Sequence, residues 1–236
     1  MTIEIVEIQD IPLELEEWDV LTCLGARDGV APALADEVAE AIALGQDLWS
    51  PRGICARSTV EEVGRTKVSI GEGPSMEGKF LAHLFSGARE ATFLVVTIGI
   101  GLEARVSELF AEGNTVEAFV LDAVGSVAAM NAFTRVLTRV LEETKARGWD
   151  AGTCLRPDQS YWDITGQETI FQMVPAEKIG VRLLESSFMK PQKSQSGVVP
   201  LGPNLKVHGD PNESYCRYCQ ATRCPMRREP QVGQLT

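Results

Sequence analysis

The chain has 236 residues, of which 44% are hydrophobic and 23% charged, and its formal net charge is -11 at pH 7. It is long enough to bury a core as one large domain or two small ones. The acidic charge argues against nucleic-acid binding and favours solubility or a protein partner with a basic rim. Neither a secretory pattern nor an unbroken apolar run of the ~18–20 residues needed for a membrane span is evident, which predicts a cytoplasmic protein without a membrane partner.

The first third of the chain predicts short strands and two helices. Strands are predicted at residues 2–8, 54–60 and 67–71. A helix is expected over residues 32–44, with a proline in its first turn and Gly45 closing it. A second helix is expected to begin at a Ser75 cap, to turn Met76 and Phe80 inward, and to stop at Gly87.

The middle of the chain predicts a buried strand that leads into a helix. Residues 92–98, TFLVVTI, are continuously apolar or β-branched, which is typical of a central strand covered on both faces. Gly99 and Gly101 then turn the chain into a helix whose apolar face includes Val106 and Phe110.

A single long helix is predicted from Asn114 to Arg147. Asn114 and Glu117 have the spacing of a capping box, and a kink at Gly125 or a coiled-coil-like dimer seam is compatible with the pattern. One buried stripe is expected from the apolar residues at spacings of three, four or seven, which are Val116, Val120, Ala123, Val127, Met130, Leu137 and Leu141.

The last third predicts shorter elements. A short helix is expected through Ile170 and Phe171. Strands are predicted at residues 181–187, 196–199 and 205–208, and residues 227–236 are expected to form a loose tail.

The turn-rich segment between the long helix and these strands contains the best candidate ligand residues. Arg156 has a planar donor fork that suits a carboxylate. Tyr161 and Trp162 can supply a stacking wall with a polar edge. The alternative is a surface loop whose aromatic residues pin it to the core.

Three cysteines near the C-terminus indicate a metal site. Cys216, Cys219 and Cys224 form a C-x2-C-x4-C pattern, which brings their sulfurs within reach of one zinc ion or one [4Fe–4S] cluster. Both normally need a fourth ligand, for which Cys154 is the candidate, or His208 in the case of zinc. Reduced cysteines beside a flexible tail are the alternative, while Cys23 and Cys55 are expected to be buried thiols.

Several segments together resemble the S-adenosylmethionine-binding activation domain of cobalamin-dependent methionine synthase, and most closely its small stand-alone members. The segments that carry the resemblance occur in the family's order, and they are LGARDG at 24–29, TIGIGLEARVSEL at 97–109, LDAVGS at 121–126, the loop at 156–161 with Trp162 and Gln167, and IGVRLLESSFMKPQKSQSG at 179–197. The C-x2-C-x4-C pattern is also similar to that of the stand-alone members.

The resemblance implies a fold and an activity. The implied fold is α+β, a single domain over residues 1–226 with a twisted, largely antiparallel sheet packed by long helices and a cysteine segment at 214–226. The implied activity is reductive rescue of a corrinoid: Co(II) is reduced to Co(I), and a methyl group from S-adenosylmethionine traps it as methylcobalamin. The iron–sulfur cluster could deliver the electron.

The resemblance also implies residue roles. Arg156 would hold the methionyl carboxylate, Tyr161 would lie where the methyl donor meets the corrin, and Trp162 would complete the cofactor wall. The loop departs from the family at residues 158–160, where the family has Pro-Gly before the tyrosine. His83 and His208 are the only histidines and neither lies in a corrinoid-binding Asp-x-His-x-x-Gly motif, so cobalamin would be carried by a partner methionine synthase or another corrinoid protein.

Two other functions are compatible with the sequence. One is a non-catalytic module that binds a corrinoid protein and uses the cysteines for structural zinc. The other is an unrelated transferase that uses Lys193 and Ser194 as polar ligands. If Cys154 completes the metal site, the ligand site and the metal site would be one site, since Arg156 follows two residues later.

Overall fold

An antiparallel sheet of seven strands runs through the computed structural model, which describes residues 3–26, 32–71, 73–157 and 162–205. The strands are β1 (Glu4–Ile8), β2 (Arg52–Val63), β3 (Lys67–Ile70), β4 (Ser75–Glu77), β5 (Glu90–Thr97), β6 (Asp150–Ala151) and β9 (Ser194–Gly202). Their order is β4-β3-β2-β5-β9-β6, with β1 also paired to β2. A separate hairpin consists of β7 (Arg182–Leu183) and β8 (Met189–Lys190).

Helices cover both faces of the sheet. They are α1 (Glu17–Cys23), α2 (Pro32–Leu48), α3 (Lys79–Leu84), α4 (Gly101–Glu112), α5 (Thr115–Ala146) and α6 (Gly166–Met173), followed by a 3-10 turn at Ala176–Ile179. The first core lies between the sheet and α1, α2, α4 and α5. The second core lies on the other face, against α3, α6 and the 3-10 turn.

Strand β5 separates the two cores. Leu94 and Val96 point into the first core, whereas Phe93 and Val95 point into the second. All four side chains are at most 1% exposed. The prediction of a central strand covered on both faces is therefore confirmed, because alternate side chains of a strand must enter opposite layers.

Helix α5 is the longest element, with 32 residues and a length of about 48 Å. It is long and apolar enough to cross a membrane, but 61% of its most apolar 18-residue stretch is buried inside the protein. The helix packs against α1, α2, α4 and strands of the sheet. It is therefore a core helix of this fold, as its buried stripe predicted.

The predicted end of α2 is wrong. The helix continues through Gly45 to Leu48, and Gly45 is buried against neighbouring side chains. A Cβ atom at Gly45 would lie 2.9 Å from Cζ3 of Trp49 and 3.1 Å from Cγ1 of Val124. The glycine permits close packing with α5 rather than ending the helix.

The predicted Ser75 cap is also wrong, because Ser75 begins strand β4. Met76 is 1% exposed and points into the second core, while its neighbour Glu77 is exposed. Helix α3 starts only after Gly78, whose φ of 147° is open to glycine but strained for other residues.

Two details of the helices around Gly113 differ from expectation. Val116 and Phe110 were expected to face inward, but their exposed fractions are 62% and 43%. The predicted capping box is absent, because Asn114 makes no side-chain cap hydrogen bond and instead donates from Nδ2 to Oε2 of Glu112 at 3.3 Å. The stripe therefore begins one turn later than its periodicity suggested.

The predictions for the late strands differ from the structure, and one early helix was not predicted. The strand predicted at residues 181–187 is only Arg182–Leu183, and that at 196–199 extends to Ser194–Gly202. Leu205 is buried but lies outside the strands, and residues 206–208 are outside the described chain. Helix α1 was not predicted, because three of its seven residues, Glu17, Asp19 and Thr22, are acidic or polar.

Candidate functional site

A cleft of about 750 Å³ opens where the Arg156 loop meets the β7–β8 hairpin and the start of β9. Its walls come from two parts of the chain, which lie between residues 156 and 167 and between residues 182 and 196. The lining residues that carry the argument below are Arg156, Gln167, Arg182, Phe188, Gln195 and Ser196. The volume is within the usual range for small-molecule sites.

Arg156 is held in the wall of this cleft by three contacts. Its Nη2 donates to Oε1 of Gln195, and its Nε donates to the carbonyl oxygen of Ser196 at 3.4 Å. Its Cζ lies 4.3 Å from the centroid of the Phe133 ring. A guanidinium stacked on a ring and bonded at its edge has a fixed plane, so little side-chain entropy remains to be lost on ligand binding.

A buried polar pair lies next to Arg156. Ser196 Oγ donates to Oε1 of Gln167 at 2.7 Å. Gln167 and Ser196 are 5% and 3% exposed, and both line the cleft. This bond links α6 to β9 and sets the spacing of the two walls.

The turn before α6 is ordered by Asp163. Its Oδ1 accepts hydrogen bonds from the backbone N of Thr165 at 3.0 Å and from Oγ1 of Thr165 at 2.8 Å. These bonds, the backbone one foremost, lower the pKa of Asp163 below its ordinary value. The carboxylate therefore stays ionised while it directs the chain into the helix that presents Gln167.

The opposite wall is anchored to α4. Glu103 accepts from the backbone N of Gln192 at 2.9 Å through Oε2, and its Oε1 pairs with Nζ of Lys190. The side chain of Glu103 is 13% exposed, so water screens these contacts only in part.

The same wall is anchored to α5 and β5. Lys193 Nζ lies 2.8 Å from Oδ1 of Asp122 and donates to Oγ of Ser126 at 2.9 Å. Ser194 Oγ donates to the carbonyl oxygen of Pro191 at 2.8 Å and lies 2.9 Å from Oγ1 of Thr97. Lys193 and Ser194, considered as transferase ligands, thus make internal contacts in this structure.

The cleft has a basic lining in an acidic protein. Arg156, Arg182 and Lys190 contribute to it, and no Asp or Glu occurs among its described lining residues. The exposed side chains of Leu184 and Phe188, at 39% and 64%, add apolar surface at its mouth. An anionic group attached to an apolar body fits this combination.

Of the two predicted aromatic residues, Trp162 is described and does not line the cleft. Trp162 is 6% exposed and belongs to the second core. It packs so closely on Gly166 that a Cβ there would lie 2.2 Å from Nε1 of Trp162. Tyr161 lies outside the described residues, as do residues 158–160.

The predicted metal ligands fall in two regions. Cys216, Cys219, Cys224 and His208 lie outside the described residues. Cys154 is 1% exposed and belongs to the first core, where a Cβ added to Gly197 would lie 2.8 Å from its Sγ. Within the described ranges, no three His, Cys, Asp or Glu side chains are grouped to hold a metal ion.

The other two cysteines differ in burial. Cys55 is 7% exposed, as predicted, whereas Cys23 is only half-buried. Burial, with a smaller contribution from Glu143, raises the pKa of the Cys55 thiol to about 12. This thiol is therefore neutral and inert at physiological pH.

Comparisons with known proteins show similarity to solved structures. No protein family and no curated protein matches the sequence. The fold is similar to the crystal structure of the MetH reactivation domain bound to AdoHcy, with a TM-score of 0.61 and 16% sequence identity over 87% of this chain and 81% of that chain. The chain has the reactivation-domain fold. The α+β fold predicted from the resemblance is thereby confirmed.

Sequence reasoning missed the partners that orient Arg156. Gln195 and Ser196 are 39 and 40 positions away, and Phe133 lies on α5. A local signal does exist, because the polar run Ser194, Gln195 and Ser196 directly precedes an apolar strand. Polar residues at the end of a buried strand need partners, which marks them as candidates for a site.

Proposed function

We propose that the protein is an auxiliary reductive activation protein for a separate corrinoid-dependent methionine synthase. The partner's Co(II) corrinoid would take one electron from a reduced iron–sulfur cluster on the cysteine segment to become Co(I), and Co(I) would then take the methyl group of S-adenosylmethionine. The products are methylcobalamin and S-adenosylhomocysteine. The observation that carries this proposal is the Arg156 cleft within a fold whose solved relative is bound to AdoHcy.

Arg156 is proposed to bind the methionyl carboxylate. Support comes from its fixed plane against Phe133 and from the absence of acidic side chains in the described lining. A guanidinium has five N–H donors, so it can serve a wall contact and a carboxylate at the same time. Gln167 and Ser196 would set the width of the cleft around this group.

The remaining site residues have supporting roles in this proposal. Tyr161 would lie where the methyl donor meets the corrin, and Trp162 would hold that tyrosine's loop from the second core. Phe188 and Leu184 would give the partner's corrin-bearing surface an apolar contact at the cleft mouth. The chain's part in the reaction is orientation and exclusion of water, while cobalt and sulfonium supply the chemistry. We expect the protein and its partner to meet in the cytoplasm.

The methyl-donor part is tested by calorimetry with S-adenosylmethionine. Wild type should bind, and Arg156→Ala should bind about 10- to 100-fold more weakly, because a charge-assisted hydrogen bond contributes about 1.5–3 kcal/mol. Arg156→Lys should recover only part of the affinity, since lysine keeps the charge but loses the fork. Arg65→Ala, at an exposed turn, is the matched control. Absence of binding by wild type would refute this part.

The cysteine segment is proposed to hold a [4Fe–4S] cluster on Cys216, Cys219 and Cys224, with Cys154 as the fourth ligand. Cys154 is buried, so the cluster would need to reach the first core near Gly197. Anaerobically purified protein should contain iron and show an absorbance shoulder at about 400 nm that bleaches with dithionite. Zinc instead of iron would favour the non-catalytic module with a structural metal site.

A further inference from the structure

A second groove lies at the corner where α4 meets α5, beside α2. Its volume is about 640 Å³. Helix α4 ends at Glu112, Gly113 reverses the chain in the left-handed region with φ 86°, and α5 begins at Thr115. The groove is lined by residues of this corner and of α2, which are Glu37, Glu40, Ala41, Leu44, Gly113, Asn114, Thr115, Val116, Glu117, Val120 and Leu121. We call it the corner groove.

Large apolar side chains are exposed at this corner of the fold, and one of them, Val116, lines the corner groove. The exposed fractions of Val116 and Phe119 are 62% and 60%, and that of Phe110 is 43%. The rings of Phe110 and Phe119 meet edge to face, with centroids 5.3 Å apart at an interplanar angle of 89°. Single exposed apolar residues are ordinary, but three on the adjoining ends of α4 and α5 are typical of an interaction surface.

The rim of the corner groove is acidic. Glu37 and Glu40 of α2 and Glu117 of α5 are exposed at its edge, and no Lys or Arg occurs among its described lining residues. Helix α2 itself has four acidic residues and no basic one. Arg105 is engaged with Glu108 and Glu112 on α4, each at 3.2 Å, so it does not neutralise the rim.

The negative charge of the rim indicates which kind of partner fits the corner groove. A second copy of the chain would bring the same acids face to face, and like charges across an interface cost several kcal/mol. Anionic lipid surfaces and nucleic acids would be repelled for the same reason. A partner helix with an apolar face and basic flanks fits both the exposed apolar side chains and the acidic rim. Its apolar face can lie between α2 and α5 while its cations meet the three glutamates.

We propose that the corner groove binds a cationic amphipathic helix of a partner protein. Val116 and Phe119 are exposed and lie three residues apart on α5, a spacing at which side chains share one side of a helix, and the buried Val120 also lines the groove. The groove lies at the C-terminal end of α4, whereas the cleft wall is anchored at Glu103 near its N-terminal end. The corner groove is therefore a site separate from the Arg156 cleft, and none of its lining residues is shared with that cleft.

The test uses a labelled Lys/Leu amphipathic peptide of about 18 residues, or five helical turns, and its Glu/Leu counterpart. Fluorescence anisotropy with the full chain should show one site for the Lys/Leu peptide and none for the Glu/Leu peptide. Affinity should fall when salt is raised from about 50 to about 200 mM. The variant Glu37→Gln/Glu40→Gln/Glu117→Gln should weaken binding at least about tenfold.

Matched variants separate the corner groove from the general acidity of the chain. Val116→Ser/Phe119→Ser should weaken binding about tenfold or more, because it removes the apolar contact and leaves the charge unchanged. The control Glu16→Gln/Glu62→Gln/Glu177→Gln removes three exposed acids elsewhere and should leave affinity within about twofold. Circular dichroism of each variant should match wild type, since all the changed side chains are exposed.

Three results would overturn the proposal. The first is no binding of the Lys/Leu peptide by wild type. The second is equal weakening by the control triple variant, which would mean that only overall charge attracts the peptide. The third is a concentration-dependent dimer of wild type in sedimentation that Val116→Ser/Phe119→Ser abolishes, which would assign the corner groove to a second copy.

Discussion

At the residue scale, groups from β9 and α5 help to orient Arg156. Gln195 and Ser196 bond its edge from β9, and Phe133 supports its face from α5. A carboxylate ligand would therefore meet a guanidinium whose plane β9 and α5 have already positioned. This preorganisation is why Arg156→Lys is expected to recover only part of the affinity for the methyl donor.

A second residue-scale expectation concerns pH and Cys55. Its folded pKa of about 12 is raised above the ordinary value of 9.0, chiefly by burial. The stability that depends on the neutral thiol is thus fully present below about pH 9 and is lost as pH rises toward 12. The loss is at most about 1.4 kcal/mol per pH unit for one proton.

Urea unfolding of wild type and Cys55→Val between about pH 7 and 10.5 measures this effect. Valine does not titrate, so wild type should lose stability relative to the variant above about pH 9. Lysine and tyrosine titration is common to both proteins and cancels in the difference. A difference that stays constant with pH would contradict the assignment.

At the element scale, the position of the cleft wall depends on how closely α4, α5 and the segment before β9 approach each other. Gly125 of α5 is buried where they meet. A Cβ atom there would lie 2.6 Å from Cδ2 of Leu102 and 3.2 Å from Cε of Lys193. Close approach of these neighbours is a physical reason for a glycine at this position of the helix.

Gly125→Ala should therefore destabilise the fold. Alanine gains about 1 kcal/mol in helix propensity, but overpacking against Leu102 costs about 1–3 kcal/mol, and we expect a net loss of about 1 kcal/mol. The added methyl group should also displace Lys193, and this displacement should weaken ligand binding in the cleft. Chemical denaturation and calorimetry measure the two effects.

Gly64→Ala is the control for this substitution. Its added Cβ would meet only the carbonyl oxygen of Lys67, at 3.4 Å, so stability should change by less than about 0.5 kcal/mol. If Gly125→Ala were as stable as wild type or more stable, the prediction would be contradicted. Helices α4 and α5 would then be able to move apart without a loss of folding stability.

At the scale of the whole molecule, the two cores share one sheet, and β5 contributes to both. Amides of β5 and of the buried middle of α5 should therefore exchange only through global unfolding. The β7–β8 hairpin has two residues in each strand and exposes Leu184 and Phe188, so it should open locally. Native-state hydrogen exchange measures this ranking, and a hairpin protected as strongly as β5 would contradict it.

Elements with a strong local pattern were predicted well. The apolar run of β5 predicted a strand buried on both faces, and the spacing in α5 predicted a helix of more than thirty residues. Short elements were predicted poorly, because β4 and the β7–β8 hairpin contain two or three residues per strand and offer no periodicity. Gly45 was misread because a glycine that ends a helix and one that permits close packing look the same in sequence.

The sequence by itself determined the burial of β5 and the nomination of Arg156, since each depends on residue type and spacing within one segment. It determined the α+β architecture through the order of several segments that resemble a known family. Only the tertiary structure decided that Arg156 meets Gln195, Ser196 and Phe133, and that Val116 and Phe119 stay exposed at the corner groove. Those outcomes depend on strand register and on where a neighbouring helix ends. Periodicity reports which face of an element is apolar, whereas the packing of the whole chain decides whether that face is covered.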